Sequence, residues 1–308
     1  MKYPVIFLLL FTALTATAGN TGDSLSIVKK HSAWFDLKDK YHEHRVYIYW
    51  GYNRDYYLKS DIYIHGPGYN FVIYNTAALD KQARFSAQEY FGITTLSEPQ
   101  YNYRAGFYIK HNIHISIGLD HMKYVVVQNQ TVKMTGTIDS SVSTQYAGTY
   151  NNKSVVLTPD FIRLQHTNGL NVATIDVGWL MPICHSKHDI FHLGWNFGAG
   201  GFIVVTRTEF HFMNVFYYNP FHVSGIAFPV LTGPRIDLWK FLFFAAEAKS
   251  GEVFLPWAPA ENTPQSGIHQ RIGYLEYYIV GGLSFPVDKK AWPMIKRKSK
   301  LPYNPSVF

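Results

Sequence analysis

Apolar and polar residues alternate along most of the chain after about residue 40. From Ile113 to Asp120, every odd position is Ile or Leu, and the even positions are His, Ser, Gly and Asp. The segments 104–110, 173–179 and 191–199 follow the same rule. Because successive side chains of a strand point to opposite faces, a period of two predicts strands with one apolar and one polar face.

Counting the alternating segments predicts about 10–12 strands, and bacterial barrels prefer even numbers of strands. These strands are expected at 45–55, 69–79, 101–111, 113–127, 130–138, 158–182, 189–205, 223–232, 235–248 and 271–286, with 158–182 forming one strand or two. Polar loops are expected at 139–157, 206–222 and 250–270, a short helix near Phe85–Phe91, and a tight turn at Gly233-Pro234.

Two kinds of fold produce such strands. A soluble β-sandwich or lipocalin-like barrel buries the apolar face, whereas a transmembrane barrel turns it to lipid and keeps polar residues inside. The strands are long enough to cross a bilayer, and aromatic residues cluster at strand ends, as in 47–50 and 216–218. The polar faces also carry small and charged residues. We therefore predict an all-β fold, a transmembrane antiparallel β-barrel.

The polar faces predict which side chains line the interior. If Lys110 faces His114 across a three-residue turn, Arg104 comes opposite Asp120. A charge inside a barrel needs a partner, so an Arg104–Asp120 ion pair, or an ion pair made through a neighbouring strand, is expected. The predicted lumen-lining residues are Arg104, His114, Asp120, Asp176, His192 and Asn196.

Asp176 and His192 lie on the polar faces of consecutive predicted strands and can meet directly or diagonally. An Asp–His pair in an enclosed cavity is a candidate for acid–base catalysis. The alternative, which we favour, is a structural network inside the barrel. Asp176 and His192 are therefore catalytic candidates only, as is His166 in the segment described next.

Residues 165–171, with the sequence QHTNGLN, interrupt the alternation. Ile162 and Leu164 occupy even positions, whereas Ala173 and Ile175 occupy odd ones. An Asn-Gly hairpin turn changes the parity in this way, and so does a bulge within one long strand. The bulge is favoured because it leaves short connections alternating with long ones, as bacterial barrels do.

The first residues predict export. Residues 1–18 combine Lys2, an apolar run and a small-residue Ala-Thr-Ala site, which is typical of a signal peptide. The expected organisation is a signal peptide at 1–18, an N-terminal segment at 19–44, the barrel at 45–287 and a basic tail at 288–308.

Charge and composition narrow the functional classes. The formal charge is +7, or +6 once Lys2 is removed, but export argues against a nucleic-acid partner. The single cysteine, Cys184, excludes a disulfide scaffold and a Cys-based zinc site. His42-Glu43-His44 and the segment 184–188 offer metal ligands, but neither has a full ligand set of recognised spacing. No metal and no other cofactor is expected.

The chain resembles a group of uncharacterised Gram-negative outer-membrane β-barrels. Three stretches carry the resemblance: 51–57 with 60–61, 120–125, and 166–171. The resemblance implies a cell outer membrane location and a lipid environment.

The chain also resembles the lipid A deacylases, barrel esterases with a His-x-Ser-Asn motif. His166 matches the His of that motif, but Asn168 stands where the nucleophilic Ser belongs. Thr167 is one position early and points to the other face of a regular strand. Since a nucleophile must reach its base, this departure disfavours a hydrolase.

Three functions remain open. The first is a non-enzymatic, porin-like barrel that forms a narrow channel, transports a small solute or has a structural role in the membrane. The second is a lipid hydrolase that uses His166 or the Asp176–His192 pair. The third is a subunit of a cell-surface complex, with another cell-envelope protein as its partner. We favour the first. Because side chains largely fill the interior of a barrel of about 10–12 strands, a wide open pore is not expected.

Overall fold

The computed structural model describes residues 41–92, 99–186 and 190–287. Within them the chain forms 13 strands and one short helix. These are β1 (Arg45–Tyr57), β2 (Ser60–Gly66), β3 (Tyr69–Thr76), β4 (Ala78–Leu79), α1 (Ala87–Phe91), β5 (Tyr101–Tyr108), β6 (Ile113–Val126), β7 (Thr131–Ile138), β8 (Gly148–Val156), β9 (Ile162–His185), β10 (Phe191–Phe212), β11 (Val215–Leu238), β12 (Leu242–Pro259) and β13 (Gly267–Pro286).

The expectations for the signal peptide, for residues 19–40 and for the basic tail lie outside the described residues. Among the helical residues that are described, none belongs to a helix long and apolar enough to cross a membrane.

Eight strands close a ring, which we call the lower ring. Their order is β1-β5-β6-β9-β10-β11-β12-β13, and β13 pairs with β1 to complete the circle. All eight neighbours pair antiparallel. Arg45, at the start of β1, pairs with Pro286, at the end of β13. We call this end of the barrel the lower end.

The longer strands continue beyond β1 and β5 into an upper sheet. There β13 pairs with β2, β2 pairs with β3, and β4 pairs with β6. Since β4 follows β3 after one residue, these pairings replace β1 and β5 and close a second circuit. The β7–β8 hairpin pairs with β3 and extends this sheet.

The outer face of the lower ring is apolar. On β13 the outward-facing residues from Tyr277 to Phe285 include Ile279, which is 70% exposed. Other exposed apolar residues include Ile48, Phe107, Ile117, Val177, Phe197, Phe228, Val230 and Phe244. The span from Tyr277 to Phe285 matches the ~9–11 residues with which a tilted strand crosses a bilayer. The chain is therefore a transmembrane antiparallel β-barrel, and the predicted fold class is confirmed.

The polarity reverses in the upper sheet, where apolar side chains point inward. They include Ile62, Ile64, Phe71, Met122, Leu164, Leu170, Phe210, Phe212, Val253 and Leu255. On the outside, Arg271 and Glu252 form an ion pair with side chains 66% and 50% exposed. The β10–β11 hairpin differs, since Phe216, Tyr218 and Phe221 point outward along it. Outside that hairpin the buried apolar residues of the upper sheet point inward, and Tyr63, Leu79 and Phe254 are further apolar residues exposed on its surface.

Two predicted connections are wrong. Gly233-Pro234 is no turn but lies within β11, and the expected loop 206–222 is the upper part of the β10–β11 hairpin. The actual turns contain Met213-Asn214 and Trp239-Lys240, and all four of these residues have positive φ. Positive φ at both central residues is the geometry of a type I′ hairpin turn. The prediction missed these turns because neither contains glycine.

The expected polar loops are also shorter than predicted. The segment 139–157 contains β8, and β12 continues to Pro259 within the expected loop 250–270. The short helix near Phe85–Phe91 is present as α1, with Ser86 as its N-cap. Residues 165–171 form a bulge in one strand, as favoured, because β9 is continuous and its register with β6 shifts there.

The number of strands around the ring differs from the expected 10–12, because the lower ring closes with eight. The other five strands, namely β2, β3, β4, β7 and β8, pair in the upper sheet. A period of two identifies strands, but it does not indicate at which height each strand pairs.

Candidate functional site

The candidate site is the interior of the lower ring. The structure places all six predicted lumen-lining residues inside it, each at most 8% exposed. They are Arg104, His114, Asp120, Asp176, His192 and Asn196. Strand alternation sends these side chains inward, because their apolar sequence neighbours face outward.

Lys249 lies at the centre of this interior and is fully buried. Its Nζ donates to Asp120 Oδ2 and lies 3.5 Å from Glu276 Oε2. Asn102 donates from its side-chain amide to the same two carboxylates, at 2.7 Å each. Residues from β5, β6, β12 and β13 therefore meet across the barrel, and each charge in this group has a partner.

Arg104 joins this cluster from β5. Its Nη2 lies 3.1 Å from Asp176 Oδ2 and 3.8 Å from Asp120 Oδ1, so the expected Arg104–Asp120 ion pair is present. The expected register is wrong, because Arg104 lies opposite Gly118. A Cβ at Gly118 would lie 2.6 Å from Arg104 Nε, so glycine leaves room for the guanidinium.

The register shift has its cause in the turn between β5 and β6. Lys110 does not face His114, since Tyr108 occupies that position. His111 and Asn112 form the centre of the turn with φ of 53° and 58°. Ile113 N–H donates to Lys110 C=O at 3.1 Å, which closes this turn.

A second charged group lies nearer the lower end. Arg235 donates to both carboxylate oxygens of Asp237, at 3.0 and 2.7 Å, and to the Tyr108 hydroxyl at 3.0 Å. His42, which precedes β1, is buried with its Nε2 2.9 Å from Asp237 Oδ2. The residues directly before β1 therefore contact the charged group at the lower end of the barrel.

Asp176 and His192 do not meet, which corrects that expectation. Asp176 lies opposite Gly200 on β10, whereas His192 lies opposite His185. The His192 ring stacks on Tyr41 with centroids 3.7 Å apart. The two residues occupy different heights of the barrel and form no acid–base pair.

His166 lies in the upper sheet, fully buried, with its ring centroid 5.9 Å from that of Tyr124. Among the described residues, neither of its ring nitrogens has a hydrogen-bond partner. The Thr167 hydroxyl donates instead to Glu209, at 3.2 Å, and the Asn168 amide donates to the same carboxylate at 2.8 Å. His166 therefore has no hydroxyl nucleophile to activate.

The sequence did not predict Glu209, Lys249 or the two neighbours of Lys249 in the cluster, Asn102 and Glu276. Arg235 and Asp237 continue the alternation of β11, but the turn expected at Gly233-Pro234 separated them from it. Lys249 comes directly after the expected end of a strand at residue 248. Following the alternation across Gly233-Pro234 would have identified Arg235 and Asp237, and extending it one residue beyond 248 would have identified Lys249.

The histidines and acids do not assemble a metal site in the part of the chain that the structure describes. Within residues 41–92, 99–186 and 190–287, no group of three His, Cys, Asp or Glu side chains could hold a metal ion. His42 contacts Asp237, as described above. His188 of the second candidate stretch lies outside the described residues.

Side chains fill the interior so closely that little space remains. The cavity among Tyr47, Arg104, His114, Asn196 and Arg235 measures ≈ 10 Å³. A cavity of about 10–15 Å³ by this measure holds one water molecule. Above it lies the apolar core of the upper sheet. The arrangement can hold charges in place, and the cavity within it has no room for a solute.

Comparisons with known proteins give the following. No protein-family model matches the sequence, and no curated protein matches it either. Among solved structures, the chain is similar to the outer membrane protein AlkL in lipid bilayers, with 9% identity over 88% of this chain and 98% of that chain and a TM-score of 0.32. It is also similar to the attachment invasion locus protein Ail of Yersinia pestis, with 8% identity over 79% of this chain and 99% of that chain and a TM-score of 0.30.

Proposed function

We propose that this protein is a non-conducting outer-membrane β-barrel that anchors its own upper sheet at the cell surface. The proposal rests on one observation: side chains fill the interior of both the lower ring and the upper sheet. Ion pairs fill the lower ring around Lys249, and an apolar core fills the upper sheet. A solute on this path would have to break buried ion pairs and then displace close-packed apolar side chains, and both steps are costly.

The orientation follows from the connections. At the lower end, β5–β6, β9–β10 and β11–β12 are joined by short segments. At the upper end, β1–β5 and β6–β9 are joined by long segments that contain strands of their own. Bacterial barrels have short periplasmic turns and longer outer connections, so the upper sheet is proposed to face the outside of the cell.

Among the non-enzymatic roles considered, the proposed one is the structural role in the membrane. A narrow channel needs a continuous path of water, but Lys249 and Glu276 are fully buried in the middle of the lower ring. A lipid hydrolase needs an assembled nucleophile and base, but neither ring nitrogen of His166 has a hydrogen-bond partner among the described residues, and Asp176 does not meet His192.

Planar-bilayer recording of the purified full chain tests the proposal. We expect no conductance steps from the native barrel. We also expect none from the variant Arg104→Ser/Lys249→Ser, because the apolar core of the upper sheet remains as a second barrier. Protease protection of the lower ring in the same lipid verifies insertion, and an open porin recorded in parallel verifies sensitivity. Discrete steps from inserted native protein would overturn the proposal.

A further inference from the structure

A groove of ≈ 730 Å³ runs along the outside of the lower ring. Its floor consists of outward-facing residues of β10 to β13, and its outer wall is the segment that contains α1. The residues that define it are Phe85, Phe91, Trp195, Pro234, Ala246 and Ile279. The groove therefore opens on the surface that faces the hydrocarbon of the membrane.

Small residues create the floor of this groove. Ala246 and Ala248 point outward from β12, where the same face carries Phe244 farther down. Gly233 and Pro234 lie beside them on β11. The larger side chains of Trp195 and Ile279 border the floor. The result is a furrow lined almost wholly by apolar atoms, which lipid chains must fill if protein does not.

The outer wall is held in place by Tyr52 and Tyr90. The Tyr52 hydroxyl donates to the Tyr90 carbonyl, and the two rings lie 4.6 Å apart. By contrast, Phe85 and Phe91 beside the groove are 76% and 70% exposed. Exposed aromatic side chains at the edge of an apolar band are typical of a membrane interface. The segment thus lies on the barrel at the level of the outer leaflet.

Basic residues lie in the groove and in the segment that forms its outer wall. Arg54 lines it and forms an exposed ion pair with Asp80. Lys81 and Arg84, which follow Asp80 in the same segment, are exposed. Among the described residues, neither forms an ion pair. Within the described residues 80–92, the other acid is Glu89, in the first turn of α1. Lys81 and Arg84 are therefore available to an anion at the membrane surface.

We propose that the groove binds the acyl chains of an outer-leaflet lipid with a phosphate headgroup, and that Lys81 and Arg84 bind the phosphate. The proposal rests on the membrane placement in the proposed function. An acyl chain gains no hydrophobic free energy on moving from lipid to an apolar groove, so selectivity must come from packing and charge. Charge selects anionic lipid, because each basic residue near the surface contributes about 1 kcal/mol.

Native mass spectrometry of the full chain in detergent micelles tests whether Lys81 and Arg84 bind the phosphate of the lipid. The probes are lipid A with both phosphates and the same lipid without phosphate. We expect one tightly bound copy of the phosphorylated form. The variant Lys81→Gln/Arg84→Gln should bind it about 30-fold more weakly, which is about 1 kcal/mol for each of two basic residues. The matched control Lys133→Gln/Lys153→Gln removes two exposed charges from β7 and β8 and should bind as the native chain does.

A second pair of variants tests the groove itself. Ala246→Phe places a ring in the furrow and should abolish the bound copy. Ile117→Phe adds the same ring to the outer face of β6, away from the groove, and should leave it unchanged. Equal binding by Ala246→Phe and Ile117→Phe would overturn the groove as the site. Binding that ignores the phosphates, or capture of a protein in place of lipid, would overturn the proposed ligand. Neither result changes the expectation that the barrel shows no conductance. The lipid-binding proposal and the proposed function can therefore fail separately.

Discussion

Lys249 illustrates how single residues determine the interior of this barrel. It is 0% exposed and lies between the carboxylates of Asp120 and Glu276. A charge so far from water is tolerated only when partners surround it. Removing the ammonium would leave Glu276 buried without its cation and Asp120 with Arg104 as its remaining cation, and this is costlier than the ion pair is stabilising.

We therefore predict that Lys249→Ala lowers the free energy of unfolding by about 3–5 kcal/mol. Urea unfolding of the protein in lipid vesicles, followed by tryptophan fluorescence, measures the change. Arg271→Ala is the control, because it removes an ion pair that water surrounds on the upper sheet. That control should cost less than about 1 kcal/mol. Similar losses for both variants would show that water reaches Lys249.

At the scale of elements, the hairpin turns combine an unusual sequence with an ordinary geometry. Met213-Asn214 joins β10 to β11, and Trp239-Lys240 begins the connection from β11 to β12. All four residues have φ between 49° and 69°, in the left-handed region. Residues other than glycine have a cost of about 1–2 kcal/mol in that region, and asparagine has less than most. The turns therefore hold strain that the long flanking strands offset.

Replacing Lys240 with glycine should relieve part of this strain. We expect Lys240→Gly to raise the free energy of unfolding by about 1 kcal/mol, because glycine adopts positive φ without a steric cost. The same urea titration in vesicles measures the effect. Lys110→Gly is the matched control, since Lys110 adjoins a turn but is absent from the residues with positive φ. A stabilisation by both glycines, or by neither, would contradict the argument.

These turns also explain how far the sequence predicts the elements. Alternation with a period of two identified both faces of the strands around Ile117 and Trp195. The parity change near Gly169 identified the bulge in β9. The hairpins between β10 and β11 and between β11 and β12 were missed, since Gly233-Pro234 looks like a turn and Trp239-Lys240 does not. Turn composition is a weak guide wherever long paired strands can impose the backbone conformation on any residue.

For the whole molecule, the same chain carries two opposite patterns of polarity. The lower ring places apolar residues outside and ion pairs inside, and the upper sheet places apolar residues inside. The long strands β9 to β13 pass through both regions without interruption. On such a strand the apolar side chains point outward in the lower ring and inward in the upper sheet. The height of this change marks the plane where the surroundings change from lipid to water.

The contacts across the barrel lie beyond what the sequence predicts. Lys249 and Asp120 are separated by 129 residues, and Tyr124 and Gln270 by 146. Alternation indicates that such residues face inward, but their meeting depends on the number of strands in the ring and on every register between them. The Arg104–Asp120 pair could be expected because β5 and β6 are adjacent, and it forms at 3.8 Å although the register differs from the expected one.

The position of the bilayer boundary gives the most direct test of the whole arrangement. Ile279 and Arg271 both lie on β13 and both point outward, but Ile279 belongs to the apolar band and Arg271 to the exposed ion pair above it. In a Cys184→Ser background, spin labels at Ile279→Cys and Arg271→Cys in lipid vesicles should respond oppositely. The label at 279 should be relaxed by oxygen, which concentrates in hydrocarbon, and the label at 271 by a water-soluble nickel complex. Access of nickel to both labels would mean that the apolar outer face of the lower ring does not lie in lipid, and the proposed membrane anchor would have to be abandoned.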